Sequence, residues 1–271
     1  MNSRKYDVGK YSYILWTDSL LPPFTTGNFF PLSFMSIVIP TAVWFKTAAL
    51  CRECVIVGVF TALLSTSFLT RAWATEPGIL ETIDTEENRE DGRLKKMVVV
   101  NSILYELIEF RAKYCKELDC TIERFDHFCP WTGNAVGVRN YPAFFAFLFF
   151  TIIHASFVAS SASKTLATLA ADANFRPHLL GIIIYCIGIV CLIGSLFLYH
   201  VIIVSQNITT AEKMKNVWRD GNPHDRGLLK NWSSFLMLCF QRPRISYFTR
   251  HTSSTATNEE SDETQDLLIS S

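Results

Sequence analysis

The chain has 271 residues, of which 49% are apolar and only 18% charged, with 21 phenylalanines and a formal net charge of zero. That balance leads away from a soluble globular domain and toward the membrane class. Zero net charge singles out no partner; the placement of the charges says more.

Runs free of Asp, Glu, Lys and Arg cover 19–45, 54–70, 140–163 and 177–211, and trimming their polar flanks leaves spans near 28–45, 54–70, 143–163 and 179–205. A helix needs about 20 apolar residues to cross the hydrocarbon. The third and fourth spans meet this, and the shorter first two carry Lys46 and Arg71 at their ends, where long side chains can snorkel. Four such runs in so short a chain are poorly explained as buried core helices. A channel or transporter is expected to show charged residues within its spans, and these have none. The expected fold is therefore an all-α polytopic membrane protein with four transmembrane helices.

Lys and Arg number 3 in residues 1–27, 9 in 75–142 and 8 in 206–271, against 2 in 46–53 and 2 in 164–178. The positive-inside rule then places both termini and the central segment in the cytosol. The expected layout is a cytosolic N-terminus (1–27), two helices within 28–75, a cytosolic loop (76–142), two helices within 143–205, a C-terminal element (206–250) and an acidic tail (251–271). The first 27 residues lack the apolar core and small-residue site of a cleavable signal peptide.

After the second span, Thr75-Glu76-Pro77-Gly78 reads as a turn that stops the helix. The mixed charges of 81–96 read as a solvated linker, and the spacing of 97–112 predicts a short amphipathic helical element. Residues 228–248 interleave Leu229, Trp232, Phe235 and Phe240 with Lys230, Arg242 and Arg244, which suits a segment lying on an anionic membrane face. From His251 the chain is rich in Ser, Thr, Asp and Glu with no Lys or Arg, which predicts disorder.

Of eight cysteines, Cys186 and Cys191 fall in the fourth span and read as small packing residues. Cys51 and Cys54 face the side opposite the cytosol. Cys115, Cys120, Cys129 and Cys239 fall on the reducing side, where structural disulfides are rare, so reactive or metal-binding thiols are the better expectation.

The densest chemistry lies in Asp126-His127-Phe128-Cys129-Pro130-Trp131, just ahead of the third span. Pro130 biases Cys129 toward an extended backbone, in which residues two apart share a side. His127 and Cys129 then face each other while Phe128 points away. Such an imidazole lowers a thiol pKa from about 8.5 toward neutrality. Asp126 is placed to orient the imidazole, but it alternates to the other face and needs a local bend to reach it.

This segment resembles the Asp-His-His-Cys motif of the DHHC protein S-acyltransferases. The resemblance continues through Asn134, Val136, Gly137, Asn140, Tyr141 and Phe144. Glu76-Pro77-Gly78 is similar to the family's Asp-Pro-Gly turn, and Thr209-Thr210-Ala211-Glu212 to its Thr-Thr-x-Glu motif. Asn222-Pro223, Gly227 and Lys230-Asn231-Trp232 resemble its C-terminal element. The resemblance covers about residues 28–240. It implies that Cys129 attacks a long-chain acyl-CoA thioester, palmitoyl-CoA first of all, with Asp126 and His127 activating it. The acyl chain would lie among the helices until a cysteine of a membrane-associated protein takes it. Acyl-CoA is then a cosubstrate, no cofactor is tightly bound, and nucleic acid is not an expected partner. An endomembrane location (Golgi, endosomal or vacuolar/lysosomal) follows, and the alternative is a catalytically inactive scaffold.

The chain departs from the family where typical members hold two structural zinc ions. Phe128 replaces a zinc-binding histidine, Ala135 a cysteine, and upstream only Cys115 and Cys120 remain. Two tetrahedral sites need eight Cys/His ligands. Structural zinc is expected to be absent, with Phe128 as an apolar anchor in its place.

His154, mid-span, reads either as lining the acyl cavity or, more plainly, as bonding a neighbouring helix. His200 lies at a different depth, where it is not expected to pair with His154. Asn207-Ile208-Thr209 and Asn231-Trp232-Ser233 fit the glycosylation pattern but fall on the cytosolic side. Cys239 is expected to be a buried small residue rather than an acylation site, and Glu263-Thr264-Gln265-Asp266-Leu267-Leu268 resembles an acidic dileucine sorting signal.

Overall fold

The computed structural model describes residues 12–14, 19–21, 29–48, 52–85, 95–100, 103–106, 111–171 and 177–240. The charged run 86–94, Cys51 and everything beyond 240, including the dileucine-like pattern, lie outside the described residues.

Four long helices form where the apolar runs fall: α1 (Phe30–Ala48), α2 (Arg52–Ala74), α3 (Tyr141–Ala171) and α4 (Pro177–Ser205). Within them Cys54–Ala74, Tyr141–Thr168 and Pro177–Ser205 are long and apolar enough to cross a membrane, whereas the apolar stretch Phe30–Lys46 is shorter. The chain is thus a mostly helical membrane protein, with three such helices among the described residues. At 1.5 Å per residue, the 19 residues of α1 reach roughly 28 Å. Met35, Ile56, Phe60, Leu63, Ile184 and Leu198 are exposed on the bundle, an apolar surface that lipid would cover.

With no hydrophobic drive between helices in lipid, small residues and polar bonds must hold the bundle. α3 packs along α2 and α4, and α1 lies against α2 and α3. Gly58 leaves the space that the Trp44 ring occupies, where a Cβ would overlap it. Ser65 and Thr151 share a 2.7 Å hydrogen bond between α2 and α3. His154 bonds Thr41 on α1 at 2.9 Å and Thr61 on α2 at 3.0 Å, the helix-to-helix role its position suggested.

The all-α expectation needs correcting, because the chain also builds small sheets. β1 (Ser12–Ile14) pairs antiparallel with β2 (Ser19–Leu21). A five-stranded antiparallel sheet comprises β3 (Ile79–Thr85), β4 (Lys95–Val100), β5 (Ile103–Glu106), β6 (Lys113–Cys115) and β7 (Cys120–Ile122), in the order β5-β4-β3-β7-β6. Within the helical element expected at 97–112, the described residues 97–100 and 103–106 are instead paired strands, with Val100 opposite Ile103. Its β-branched run Val98-Val99-Val100 favours a strand, and Asn101-Ser102 divides two apolar runs of strand length. The linker expected from residue 81 likewise begins as part of β3. A final hairpin joins β8 (His127–Cys129) to β9 (Asn134–Val136).

Past α4, α5 (Thr210–Lys215) and α6 (Leu228–Met237) end in a short 3-10 turn at Leu238–Phe240. α6 rests on α3 and α4 through Trp232 and Phe235, which meet the Phe145 ring at 5.7 and 5.3 Å between centroids. Leu228, Leu229, Leu236, Met237 and Phe240 stay exposed on it. Cys239 is exposed too, not the buried residue expected, because Leu238 takes the inward position of that turn.

Candidate active site

The β8–β9 hairpin is fastened to the ends of three helices. The last carbonyls of α2 have no partner within the helix. Asn134 donates to the carbonyls of Trp73 (2.8 Å) and Thr75 (3.0 Å), and Asn140 to that of Ala72 (3.1 Å). Asn140 also donates to Ala135 O at 2.7 Å and accepts from Gly137 N at 2.9 Å, which closes the turn into α3. The Glu76 carboxylate accepts from the amides of Gly78 and Ile79 and pairs with Arg139. Gly137 is required here, since a Cβ would run into Pro77 and Ile122. The start of α1 holds the hairpin tip through Phe29 N to Pro130 O (2.8 Å) and Ser33 Oγ to Trp131 O (2.7 Å).

The strand character of β8 splits its side chains as the Pro130 argument predicted. Cys129 belongs to the cluster of Tyr141, Phe144, Phe147, Leu69 and Ile203 at the helix ends. Phe128 points the other way, against Ile79, Cys115, Leu118, Cys120, Ile122, Phe125 and Ala135. Cys115 and Cys120 are opposite one another across β6 and β7, inside that apolar cluster. Among the described residues, one group of Cys, His, Asp and Glu side chains has its ligand atoms gathered, and it is Asp126, His127 and His200.

Asp126 reaches its histidine after all. Its Oδ2 accepts from His127 Nδ1 at 2.7 Å, while its Oδ1 accepts from Thr210 N at 2.8 Å and its carbonyl from Ala211 N at 3.1 Å. The bend is imposed by α5, whose first amides would otherwise lack partners. α5 is itself set by a capping box. Thr209 accepts from Glu212 N at 3.2 Å, and Glu212 accepts from Thr209 N at 2.9 Å. Arg111 then locks Glu212 and, with Arg124, the Asn207 side chain. Asn207 and Asn231 are thus buried structural side chains, Asn231 donating to Ser205 O at 2.7 Å.

Electrostatics separate the thiols. Burial pushes Cys115 up to about 11 and Cys120 up to about 12, leaving them inert at neutral pH. Burial also pushes Cys129 up, but hydrogen bonds from His127 and Thr132 outweigh it and hold the thiol below its ordinary value. Burial pulls His127 down, yet its bonds to Asp126 and Cys129 raise it to about 10. Asp126 is held below the usual carboxylate range, its His127 bond overcoming the burial that raises it. The two shifts run in the direction that favours a charged imidazole beside a thiolate, with the carboxylate behind it.

Cys129 and Trp131 head a cavity of about 660 Å³ between α1, α3 and α4. Its walls run from Phe144 and Tyr199 to Val158 and Tyr185. Those fourteen-residue intervals along the helices correspond to about 21 Å. His154 lines the inner part, so the two readings of that histidine hold together. His200, in contrast, sits at the Asp126–His127 end, its ring 5.8 Å from that of His127. No spacing in the sequence announced this, since 73 residues separate the two; only the register of α4 against the hairpin brings them together.

A buried Cys-His-Asp set at the mouth of an apolar cavity defines a membrane protein built around an activated thiol. Residues 106–217 match the family model described as DHHC palmitoyltransferase, so it is this segment that is similar to that family. It is 35% identical over 114 residues to palmitoyltransferase ZDHHC18 of Mus musculus, covering 40% of this chain and 30% of that protein. With probable protein S-acyltransferase 2 of Arabidopsis thaliana it shares 28% identity over 147 residues (51% of this chain, 35% of the relative). With palmitoyltransferase ZDHHC18-B of Danio rerio it shares 29% over 218 residues (66% and 55%). The chain thus spans between about a third and about half of the length of these relatives.

Proposed function

We propose that the chain is a protein S-acyltransferase that moves a long-chain acyl group, palmitoyl first of all, from acyl-CoA to cysteines of membrane-associated proteins through a thioester on Cys129. The observation that carries this reading is the coincidence of a thiol held below its ordinary pKa with the head of an apolar cavity about 660 Å³ in volume. Each methylene buried there contributes about 0.8 kcal/mol, which draws a long chain in and leaves its thioester at the mouth.

The steps use the atoms at hand. The Cys129 thiolate attacks the thioester carbonyl carbon of acyl-CoA, and the carbon–sulfur bond to CoA breaks. CoA leaves as its thiol, taking the proton that His127 held. His127, now neutral, accepts the proton of a substrate thiol, whose sulfur attacks the Cys129 thioester. Cys129 departs as a thiolate beneath the renewed imidazolium. Asp126 stabilises that imidazolium at both stages.

The same reading counts α1 as a fourth span and keeps the domain limits drawn from sequence, with 76–142 and both termini on the cytosolic side. It rests on 9 and 8 Lys/Arg in the central and C-terminal segments against 2 in each opposite connection. The protein would sit in the endomembrane system. Structural zinc is taken to be absent, its place filled by Phe128 packing against the Cys115–Cys120 cluster. A catalytically inactive scaffold remains the alternative reading. The lowered Cys129 pKa weighs against it, because an unused thiol in an apolar cluster has no need of an ion-paired base.

The test is labelling of the membrane-embedded protein with an alkyne-tagged palmitoyl-CoA. A hydroxylamine-sensitive label lost in Cys129→Ala and reduced in His127→Ala is expected. Wild-type protein that is folded but acquires no Cys129-dependent label would favour the scaffold.

A further inference from the structure

Beyond the Asp-His-Cys set, α4 delivers one more titratable side chain to the site. His200 is 1% exposed, as is Tyr141, the first residue of α3. The Tyr141 hydroxyl and His200 Nδ1 are 2.8 Å apart, a hydrogen bond closed to water. Around the imidazole lie the rings of Phe144 at 5.1 Å and Tyr199 at 5.5 Å between centroids, both edge-on. A buried imidazole with one nitrogen bonded still needs a partner for the other, or folding loses the desolvation cost of that nitrogen. The candidate partners nearby are Asp126 and His127: one ligand atom from each of the three residues lies within 4.8 Å of the other two. That separation permits a direct bond after a small adjustment, or a bridge through one water.

The carboxylate it faces has capacity left. Asp126 Oδ2 accepts from His127 and Oδ1 from Thr210 N, whereas two carboxylate oxygens offer about four acceptor positions. A carboxylate that is 1% exposed gains from every donor it is given. The titratable groups facing His200 are Asp126 and His127 from the hairpin, Tyr141 from α3, and Tyr199 on α4 itself. None of these except Asp126 can accept a second hydrogen bond from the imidazole without giving up its own role in the pair.

We propose that His200 is a positioning residue of the acyl-transfer site: the Tyr141 hydroxyl donates to Nδ1 and fixes the tautomer, and Nε2–H is thereby presented to Asp126, directly or through one water. His200 touches neither acyl group nor sulfur. It steadies the Asp126 charge that in turn holds the His127 imidazolium, so its removal acts on the ion pair at one remove. This inference rests on the acyl-transfer reading above. It also explains why Tyr141 starts α3 with its hydroxyl directed to α4 rather than to the aqueous face.

The experiment compares single-turnover acylation of full-length protein by alkyne-tagged palmitoyl-CoA, from pH 5.5 to 9.5, for wild type, Cys129→Ala, His200→Leu, His200→Gln, His200→Asn and Tyr141→Phe. A Gln amide nitrogen takes the place of Nε2, and an Asn nitrogen that of Nδ1. His200→Leu is expected to slow acylation about tenfold at neutral pH, less than the roughly 10²–10⁴-fold of a group that itself transfers the proton, and to move the acidic limb of the pH profile upward. His200→Gln should recover most of the rate, His200→Asn should not, and Tyr141→Phe should fall between. The concentration of acyl-CoA giving half-maximal rate should stay unchanged throughout. Equal rates and equal pH profiles for Leu, Gln and Asn would overturn the positioning role, as would a uniform loss with no shift in pH. If His200→Leu fails to fold, the Gln and Asn variants decide the question by the same comparison. Absence of Cys129-dependent label in wild type is a separate outcome that sinks the acyl-transfer reading itself, and this inference with it.

Discussion

Replacing Asp126 by Asn tests whether the carboxylate charge, and not merely its shape, sustains the thiolate. Asp126 is 1% exposed and accepts from His127 Nδ1 at 2.7 Å and Thr210 N at 2.8 Å. An Asn carbonyl oxygen keeps one of those bonds, but its amide NH₂ cannot accept the other. Either the Thr210 amide is orphaned, or the imidazole must turn to its other tautomer. A hydrogen bond to a charged group contributes about 1.5–3 kcal/mol, and one pKa unit corresponds to about 1.4 kcal/mol. The imidazolium therefore loses about one to two units of the rise that brings His127 to about 10. With a weaker imidazolium beside it the Cys129 pKa climbs, so the thiolate is present only at higher pH. The assay is the rate of Cys129 alkylation by iodoacetamide against pH, followed by peptide mass spectrometry in a Cys239→Ser background. The midpoint should move up, with acylation slowed in parallel. An unchanged midpoint in folded Asp126→Asn protein would refute this reasoning.

At pH 7.5, in the same alkylation experiment on wild type, Cys129 should react well before Cys115 and Cys120, whose burial lifts them to about 11 and 12; early labelling of either would contradict the apolar cluster. Asn140→Ala removes bonds to Ala72 O, Ala135 O and Gly137 N, all buried, and should cost about 2–4 kcal/mol. A detergent thermal-shift measurement should show a clear fall in melting temperature, and no fall would mean the hairpin is held elsewhere. Phe128→Ala should destabilise the protein by about 2–4 kcal/mol through lost packing, while a chelator leaves wild-type stability unchanged; a chelator-induced drop would show that a metal holds this segment. Stability should also fall as pH rises toward 10. His127 titrates higher when folded than unfolded, so its contribution is full below its unfolded value of 6.5 and fades as pH climbs through about 10. His127→Gln should flatten that limb of a melting-temperature profile, and an unaltered limb would remove His127 as its cause.

The long helices were legible because the chain carries long uninterrupted apolar runs, each of which became α1, α2, α3 or α4, three of them long and apolar enough to cross a membrane. The His127–Cys129 geometry was legible for a local reason, since Pro130 restricts the backbone and a strand alternates faces. The sheet was not. Residues 97–112 carry short apolar runs whose spacing fits a helix as well as a hairpin, and only β-branching favoured the strand that formed. The Asp126 bend was seen to be necessary but its cause lay 84 residues away, in the amide of Thr210. The spacing Thr209 to Glu212 announced a capping box, yet not that its helix would clamp the carboxylate. The closeness of His200 to His127 escaped, because it depends on helix register, which no local pattern encodes. Cys239 was misplaced for a smaller reason: in a 3-10 turn of three residues, only one side chain faces inward, and Leu238 took that place.

The central claim is that Cys129 carries the acyl group. The most direct measurement is mass spectrometry of the intact protein and its peptides after brief incubation with palmitoyl-CoA, quenched in acid to preserve thioesters. One palmitoyl group on the Cys129 peptide, removed by hydroxylamine and discharged when a cysteine-containing acceptor peptide is added, is the predicted result. Acylation confined to other cysteines, or a Cys129 thioester that an acceptor thiol never discharges, would contradict the account.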